Sequence, residues 1–359
     1  MDERFPVEKP ERPKATRRRS RSASPTLGDV AREAGVSTAT VSRALSAPDT
    51  VGIEAQRAVA AVVERLAYVR HGPARALASK RTYLIGAVVP TLDNPIFARC
   101  LETLQSRLQE VGFSLILATS GYSPDRELAS IRILLERGID GLMLVGGKRS
   151  AAVYALLAAK GVQCCVTWSL RDAGKQVCVG FDNAKAAAGV VEHLYQLGHR
   201  RFGMVAGLTG DNDRAADRVA GVKEALRAHG LKPTILERAY TVTDGREALK
   251  ALARLGRPPT AIVCGNDILA LGVLAECARL GLRVPQDISV TGFDDLDLAT
   301  CTSPMLTTVR VAADEIGYHA ANRLIALTTG EGSRDDLELP TALIVRGSTA
   351  AVVAGDRGA

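Results

Sequence analysis

The segment Ser37-Thr-Ala-Thr-Val-Ser-Arg-Ala-Leu45 places a guanidinium where it could do recognisable chemistry. A helical period of 3.6 turns Val41 and Leu45 to one face and leaves Thr38, Ala39, Ser42 and Arg43 on the other. Small residues at 38 and 39 let the start of such a helix come close to the edges of stacked bases. Thr38 can touch a base or a thymine methyl, and Arg43 can pair bidentately with guanine O6 and N7 in a major groove. An ordinary helical hairpin would show the same apolar face, so this reading needs support from its surroundings.

A second constellation is spread along the rest of the chain. Sugar recognition needs planar hydrogen-bonding side chains to hold vicinal hydroxyls and an aromatic face to cover an apolar sugar edge. Asn94, Pro95 and Phe97 follow one apolar run, and Trp168, the only tryptophan, follows another. Asp182, Asn266-Asp267 and Asp294 stand at the ends of further runs, and Arg218 lies in Asn212-Asp-Arg-Ala-Ala-Asp-Arg-Val-Ala-Gly221. Strand ends and helix starts are where open α/β sheets bind their ligands. Bland roles compete with the functional ones: Asp182 and Asp267 as helix caps, Trp168 as core filler, Arg218 and Asp294 as a structural ion pair. Carboxylates at Asp294 and Asp213 favour a polyhydroxylated ligand, while Arg214 and Arg218 leave room for an acidic group.

Other chemistries lack their residues. No GxGxxG falls at a strand-to-helix turn, no GxSxG is present, and Gly146-Gly147-Lys148 lacks the glycine that a phosphate loop needs five positions earlier. The five histidines (71, 193, 199, 229, 319) show no catalytic spacing. The seven cysteines form no CxxC pair and sit mostly in apolar runs, which suits buried reduced thiols in a cytosol. No catalytic residue, metal ligand or cofactor is expected. A doubly wound enzyme remains the rival, tested by turnover on candidate sugars.

The elements that must position these residues change in character along the chain. Residues 1–25, rich in Pro, Arg and Ser, are expected to be a disordered basic arm. Residues 26–71 read as a three-helix, helix-turn-helix headpiece. Leu27, Val30, Ala31 and Ala34 mark one buried stripe, Thr26 and Ser37 are placed to cap helices, Gly35 allows the turn, and Val59, Val62, Val63 and Leu66 face inward from a third helix. Residues 72–82 form a linker. From Tyr83 apolar runs alternate with amphipathic stretches: Leu84–Val89, Phe113–Ala118, Gly141–Val145, Val162–Thr167, Val177–Phe181, Phe202–Ala206, Ala261–Cys264 and Ile288–Gly292. That rhythm predicts parallel, doubly wound sheets in two lobes over residues 83–348, with a cleft between them. The first lobe is expected over about 83–181 and 312–345, the second over about 182–311, and a tail over 349–359.

Charge supports the division. Residues 1–25 hold eight Lys/Arg and four Asp/Glu, residues 26–82 hold eight and five, and the remaining 277 hold thirty of each sign. The whole formal +7 therefore lies before residue 83, the distribution expected of a chain that grips a polyanion with one end. At 4% aromatic content a stacking platform for single strands is not expected. No signal-like or membrane-spanning apolar stretch is read, so a cytoplasmic, nucleoid-associated protein is expected. A second rival, the extracellular sugar-binding protein of a transporter, fits neither the missing signal peptide nor the headpiece. DNA binding is the observation that would separate them.

The stretch Thr26–Leu45, with its Val-Ser-Arg helix, resembles the headpiece of the LacI family of bacterial repressors, and the likeness continues through Val51–Tyr68 to Ala74-Arg75-Ala76-Leu77 and on to about Arg346. The resemblance implies a periplasmic-binding-protein-like (type I) two-lobed sensor behind the headpiece and a hinge helix at 72–82, in which Arg75 joins the DNA contacts and Leu77 wedges into the minor groove. Packing within a linker is the competing role for Leu77. Two departures are Arg70-His71 in place of the common Pro-Asn and Gly52 in place of a serine-type cap. The resemblance further implies a homodimer, or a tetramer, on double-stranded palindromic operator DNA. An effector in the cleft would contact Arg218, Asn266 and Asp294, with Phe97 and Trp168 as walls. The segment around Trp168 and Gly180-Phe-Asp-Asn183 is similar to regulators of gluconate-type metabolism, which points to a sugar or sugar acid. Both induction and co-repression occur on this architecture.

Overall fold

The computed structural model describes residues 25–69, 81–171 and 176–352. The chain divides into two units, Met1–Lys80 and Arg81–Ala359.

In the first unit, helix α1 (Leu27–Glu33) starts at a reciprocal cap. The Thr26 hydroxyl accepts from the Asp29 amide at 3.2 Å, and the Asp29 carboxylate accepts from the Thr26 amide at 3.0 Å. Gly35, at φ +66°, makes the turn that side-chain-bearing residues adopt only with strain, and the Val36 amide returns to the Ala31 carbonyl at 3.1 Å. Helix α2 (Thr38–Ser46) is capped by Ser37, whose hydroxyl accepts from the Thr40 amide at 3.0 Å. Helix α3 (Ile53–Arg65) begins at Gly52 with no side-chain cap. Val30, Ala31, Val41, Val59 and Val62 are buried between the three helices, with Leu27, Val36, Leu45, Val63 and Leu66 packed around them.

The second unit contains two six-stranded sheets. The first comprises β1 (Leu84–Val89), β2 (Ser114–Thr119), β3 (Gly141–Val145), β4 (Gln163–Thr167), β5 (Val177–Gly180) and β11 (Leu337–Glu338), in the order β11-β5-β4-β3-β1-β2. The second comprises β6 (Phe202–Gly207), β7 (Pro233–Arg238), β8 (Ala261–Cys264), β9 (Ser289–Asp294), β10 (Thr307–Val311) and β12 (Thr341–Ile344), in the order β12-β10-β9-β8-β6-β7. Every pairing is parallel except β12 against β10. Helices α4 (Pro95–Glu110), α5 (Pro124–Glu136) and α6 (Ala151–Lys160) follow strands of the first sheet, and α11 (Ala313–Thr329) returns to pack on α4 and β4. Helices α7 (Asn183–Gln196), α8 (Asp213–Ala228), α9 (Val242–Ala253) and α10 (Asp267–Leu280) serve the second sheet. Continuously buried strands such as β3, β6, β8 and β9 are what a sheet covered on both faces requires.

The lobe boundaries need one correction. Of the 312–345 segment expected in the first lobe, α11 and β11 lie there, but β12 pairs with β10 in the second sheet, Thr308 opposite Ile344. The chain crosses between lobes directly after Leu339, whose amide bonds the Gly180 carbonyl at 2.7 Å. The expected tail also starts too early. The Ser348 hydroxyl donates to the Val290 carbonyl at 2.6 Å, and the Val352 amide donates to the Leu197 carbonyl at 2.9 Å, which ties 348–352 to the second lobe. The hinge helix, most of the basic arm and the last seven residues lie outside the described residues.

Candidate functional site

Helix α2 turns Val41 fully inward and leaves Thr38, Ala39, Ser42 and Arg43 exposed. The Arg43 Nε lies 3.4 Å from the Ala39 carbonyl, so the guanidinium is folded along the exposed face beside the small side chains. Arg75 and Leu77 fall outside the described residues.

The cleft between the two sheets gathers polar groups from elements far apart in sequence. Asn94 caps α4 through Oδ1, which accepts from the Ile96 amide at 3.1 Å, and its Nδ2 donates across to Asp294 Oδ2 at 3.3 Å. Asp294 ends β9 at φ +116°, and Asp295 follows at φ +55°. The Asp295 carboxylate is clamped by Arg310 at 2.8 Å and Arg346 at 2.6 Å, which holds this strained corner in place. Trp168 and Tyr122 also carry positive φ, +60° and +59°, so strained non-glycine backbone recurs at the strand ends facing the cleft.

Arg218, buried on α8, lays its guanidinium 4.4 Å over the Phe293 ring and reaches the Tyr240 hydroxyl with Nη2 at 3.4 Å. Its Nε is buried without a partner. Asn266 caps α10, Oδ1 accepting from the Leu269 amide at 2.9 Å, and its Nδ2 is likewise buried and unpartnered. A buried donor left unsatisfied costs about 1–3 kcal/mol, so a site retaining two of them is set up to be completed by acceptor oxygens of a ligand. Burial pushes the Asp294 carboxyl up to about 6, against the opposing pull of Arg218 and Asn94.

The remaining expected residues take distinct places. Phe97 and Trp168 form an edge-to-face pair with centroids 5.2 Å apart, both almost wholly buried in the main core. The Trp168 carbonyl accepts from Asn183 Nδ2 at 2.9 Å, joining the first lobe to the start of α7. Asp182 does not join Arg218, Asn266 and Asp294; it is exposed and caps α7, accepting from the Lys185 amide at 2.9 Å. Asp267 is a buried strut, its carboxylate accepting from the Thr308 hydroxyl at 2.6 Å and the Leu296 amide at 2.8 Å. Burial, with the Asp294 charge behind it, pushes this carboxyl up to about 8.

Beside this set a cavity of about 280 Å³ is lined by Tyr122, Glu127, Arg149, Asp213 and Arg214. The Tyr122 and Tyr240 rings approach to 5.8 Å across the cleft. Gly146, at φ +81°, leaves the room that Arg214 occupies; a Cβ there would stand 1.8 Å from Arg214 Nη1. The Gly147 amide donates to Asp213 Oδ2 at 2.7 Å. Burial raises the Asp213 carboxyl, but Arg214 and that amide outweigh it and hold the group below its usual value. Burial raises the Glu127 carboxyl against the pull of Arg149, 3.5 Å away. Tyr122 and Tyr240 escaped the expectations drawn from sequence, and Gly146-Gly147 was weighed there only as an incomplete phosphate loop. The signal that could have found Gly146-Gly147 is its place immediately after β3, at the strand ends where the ligand was already expected.

Residues 26–71 match the model of bacterial regulatory proteins, lacI family, and residues 191–349 match that of a periplasmic binding protein-like domain. The HTH-type transcriptional regulator GntR of Pseudomonas aeruginosa is 34% identical over 330 residues, covering 90% of this chain and 96% of the relative. The chain belongs to the LacI family. The structure of the lac repressor dimer bound to operator and the anti-inducer ONPF superposes with a TM-score of 0.80 at 28% identity, covering 91% of this chain and 99% of that one. The transcriptional regulator CelR–cellobiose complex superposes with a TM-score of 0.66 at 29% identity, covering 90% and 99%. This LacI-family protein is thus a DNA-binding transcriptional regulator with a helix-turn-helix unit and a two-lobed, periplasmic-binding-protein-like domain of the expected fold class. Among the described residues no helix is long and apolar enough to cross a membrane, and no group of three or more His, Cys, Asp or Glu is placed to hold a metal.

Proposed function

We propose that this LacI-family regulator is a cytoplasmic repressor that binds a palindromic operator as a homodimer and responds to a sugar or sugar acid held between the two sheets. Thr38, Ala39, Ser42 and Arg43 read base edges, and Arg75 and Leu77 add contacts from the linker. The effector hydroxyls donate to Asp294 and accept from Arg218 Nε and Asn266 Nδ2. Phe97 and Trp168 back that site, and Asp182 steadies the helix start beside it. The observation that carries the proposal is the pair of buried, unpartnered donors, Arg218 Nε and Asn266 Nδ2, with Arg218 close enough to Asp294 to pull on its charge. Buried donors and a buried carboxylate fit a ligand with vicinal hydroxyls, and Arg214, which lines a cavity of its own one helical turn before Arg218, fits an acidic substituent. The lac repressor structure contains an operator and a small ligand, and the CelR structure contains a disaccharide, which supports both halves of the reading. The hydrogen-bonding groups belong to the second lobe and Phe97 and Trp168 to the first, so a ligand that touches both favours the lobes' approach. A coupling of about 1–3 kcal/mol would change operator affinity about 5–150-fold.

The test combines two measurements on the full-length protein. Fluorescence anisotropy with a fragment of its own promoter against random duplex reads DNA recognition. Emission of Trp168, the single tryptophan, reads cleft occupancy during titration with hexoses and their aldonic acids. A preference for the promoter fragment that shifts with the compound perturbing Trp168 is expected. Equal affinity for random duplex, with or without those compounds, defeats the proposal.

A further inference from the structure

The turn Gly146-Gly147-Lys148 after β3 is no phosphate loop, yet its backbone holds an anion. The Gly147 amide donates to Asp213 Oδ2 at 2.7 Å, and Arg214 Nη1 donates to Asp213 Oδ1 at 3.2 Å. Each carboxylate oxygen therefore takes one donor, a backbone N–H on one side and a guanidinium on the other. Gly147 belongs to the first lobe and Asp213 to the second, so the contact spans the cleft. Lys148 makes a second crossing, its Nζ donating to the Gly210 carbonyl.

The seat is fixed by its own surroundings. The Gly146 amide donates to the Thr167 carbonyl at 2.8 Å, and the Gly147 carbonyl accepts from the Tyr154 hydroxyl at 3.2 Å, so the turn is pinned on both sides of the amide that meets Asp213. A Cβ on Gly146 would stand 2.4 Å from Asp213 Oδ1 and 1.8 Å from Arg214 Nη1, so only a bare backbone lets both groups come this close. Arg214 is buried, whereas the Asp213 side chain keeps 19% of its surface exposed and lines the cavity of about 280 Å³. The carboxylate has room to withdraw while its two donors stay in place. A second carboxylate suits the same two donors, and it meets repulsion for as long as Asp213 occupies them.

We propose that Asp213 is an internal stand-in for the carboxylate of an acidic effector: the Gly147 amide and Arg214 form a carboxylate seat, Asp213 fills it and latches the lobes, and a sugar acid binds by taking its place. This rests on the reading of the cleft as a sugar or sugar-acid site and assigns the groups that tell the acid from its parent sugar. The full-length protein is titrated calorimetrically with D-gluconate and D-glucose, and with D-galactonate and D-galactose, and the ratio of acid to parent-sugar affinity is read. Asp213→Asn keeps the size of the side chain, removes the competing charge and sets a donor against the seat, so the ratio should rise at least about 10-fold. Asp213→Ser removes the same charge with a smaller group and is read the same way should the first variant not fold. The charge one turn along α8, removed in Asp217→Asn, should move the ratio by less than about twofold. A ratio unmoved by the Asp213 substitutions overturns the proposal and leaves the sugar reading standing. An equal rise in Asp217→Asn also overturns it, because a diffuse field and not a filled seat would then set the preference. Binding of none of the four compounds, by the wild type or by Asp213→Asn, defeats both.

Discussion

Asp267 offers a prediction whose sign and size both follow from its surroundings. Its carboxyl is pushed up to about 8, whereas an unfolded chain holds an aspartate near 3.9. Between those values the folded protein keeps a proton that the unfolded chain has released. Stability from this group is therefore complete below about pH 4 and is lost as pH rises through about 8, at up to ~1.4 kcal/mol per pH unit and ~6 kcal/mol in all. Asp267→Asn keeps the shape. The amide oxygen can accept from the Leu296 amide, and the amide nitrogen can face the Thr308 hydroxyl. The charge buried beside Asp294 is gone. For a unit of this size ~1 kcal/mol corresponds to about 2–4 °C in midpoint. Thermal unfolding of both proteins in matched buffers from pH 5 to pH 8 should show the variant's advantage widening by roughly 3 °C per pH unit. A variant whose offset from the wild type does not change with pH, or which is less stable throughout, would show that Asp267 is ionised in the fold and that its hydrogen bonds outweigh burial.

Other substitutions probe the two ends of the proposed function. Arg43→Ala should relax discrimination at one base pair by about 1–3 kcal/mol, measured by anisotropy on single-base operator variants; uniform weakening on every sequence would reassign Arg43 to phosphate contact. Asp294→Ala should abolish the effect of effector on DNA binding while leaving effector-free operator affinity within about twofold, and an unchanged response would remove Asp294 from the site. Gly146→Val places carbon where Arg214 now lies and puts a branched residue at positive φ. It should lower the melting midpoint by several degrees and effector affinity by about 10-fold, and a wild-type titration would refute the interlobe role of that loop.

Much of the fold was readable because burial on both faces writes strands as unbroken apolar runs. Leu84–Val89, Gly141–Val145 and Ala261–Cys264 match their strands end to end. Four strands escaped, β7, β10, β11 and β12, and the first two show how that rule fails. Strand β7 is an edge strand with no fully buried residue and begins with a proline; β10 is built on three hydrogen-bonding or charged residues, Thr307, Thr308 and Arg310. The site followed the same logic. Asn266 and Asp294 were legible from position at strand ends. Tyr240 was hidden because the strand it follows was hidden, and Asp182 drew attention through chemistry that its cap geometry directs elsewhere. Whether Asp267 was cap or contact could not be decided in one dimension, because Leu296 and Thr308 lie 29 and 41 residues away.

The chain passes between the lobes at three places, after β5, after β10 and after β11. A body joined by one tether can swivel and slide. Three short tethers leave essentially a single arc of travel, as a door on three pins has. Any compound that draws the lobes together must therefore trace the same path whatever its shape, so its identity is reported as how far along that arc the protein rests rather than in which direction it moves.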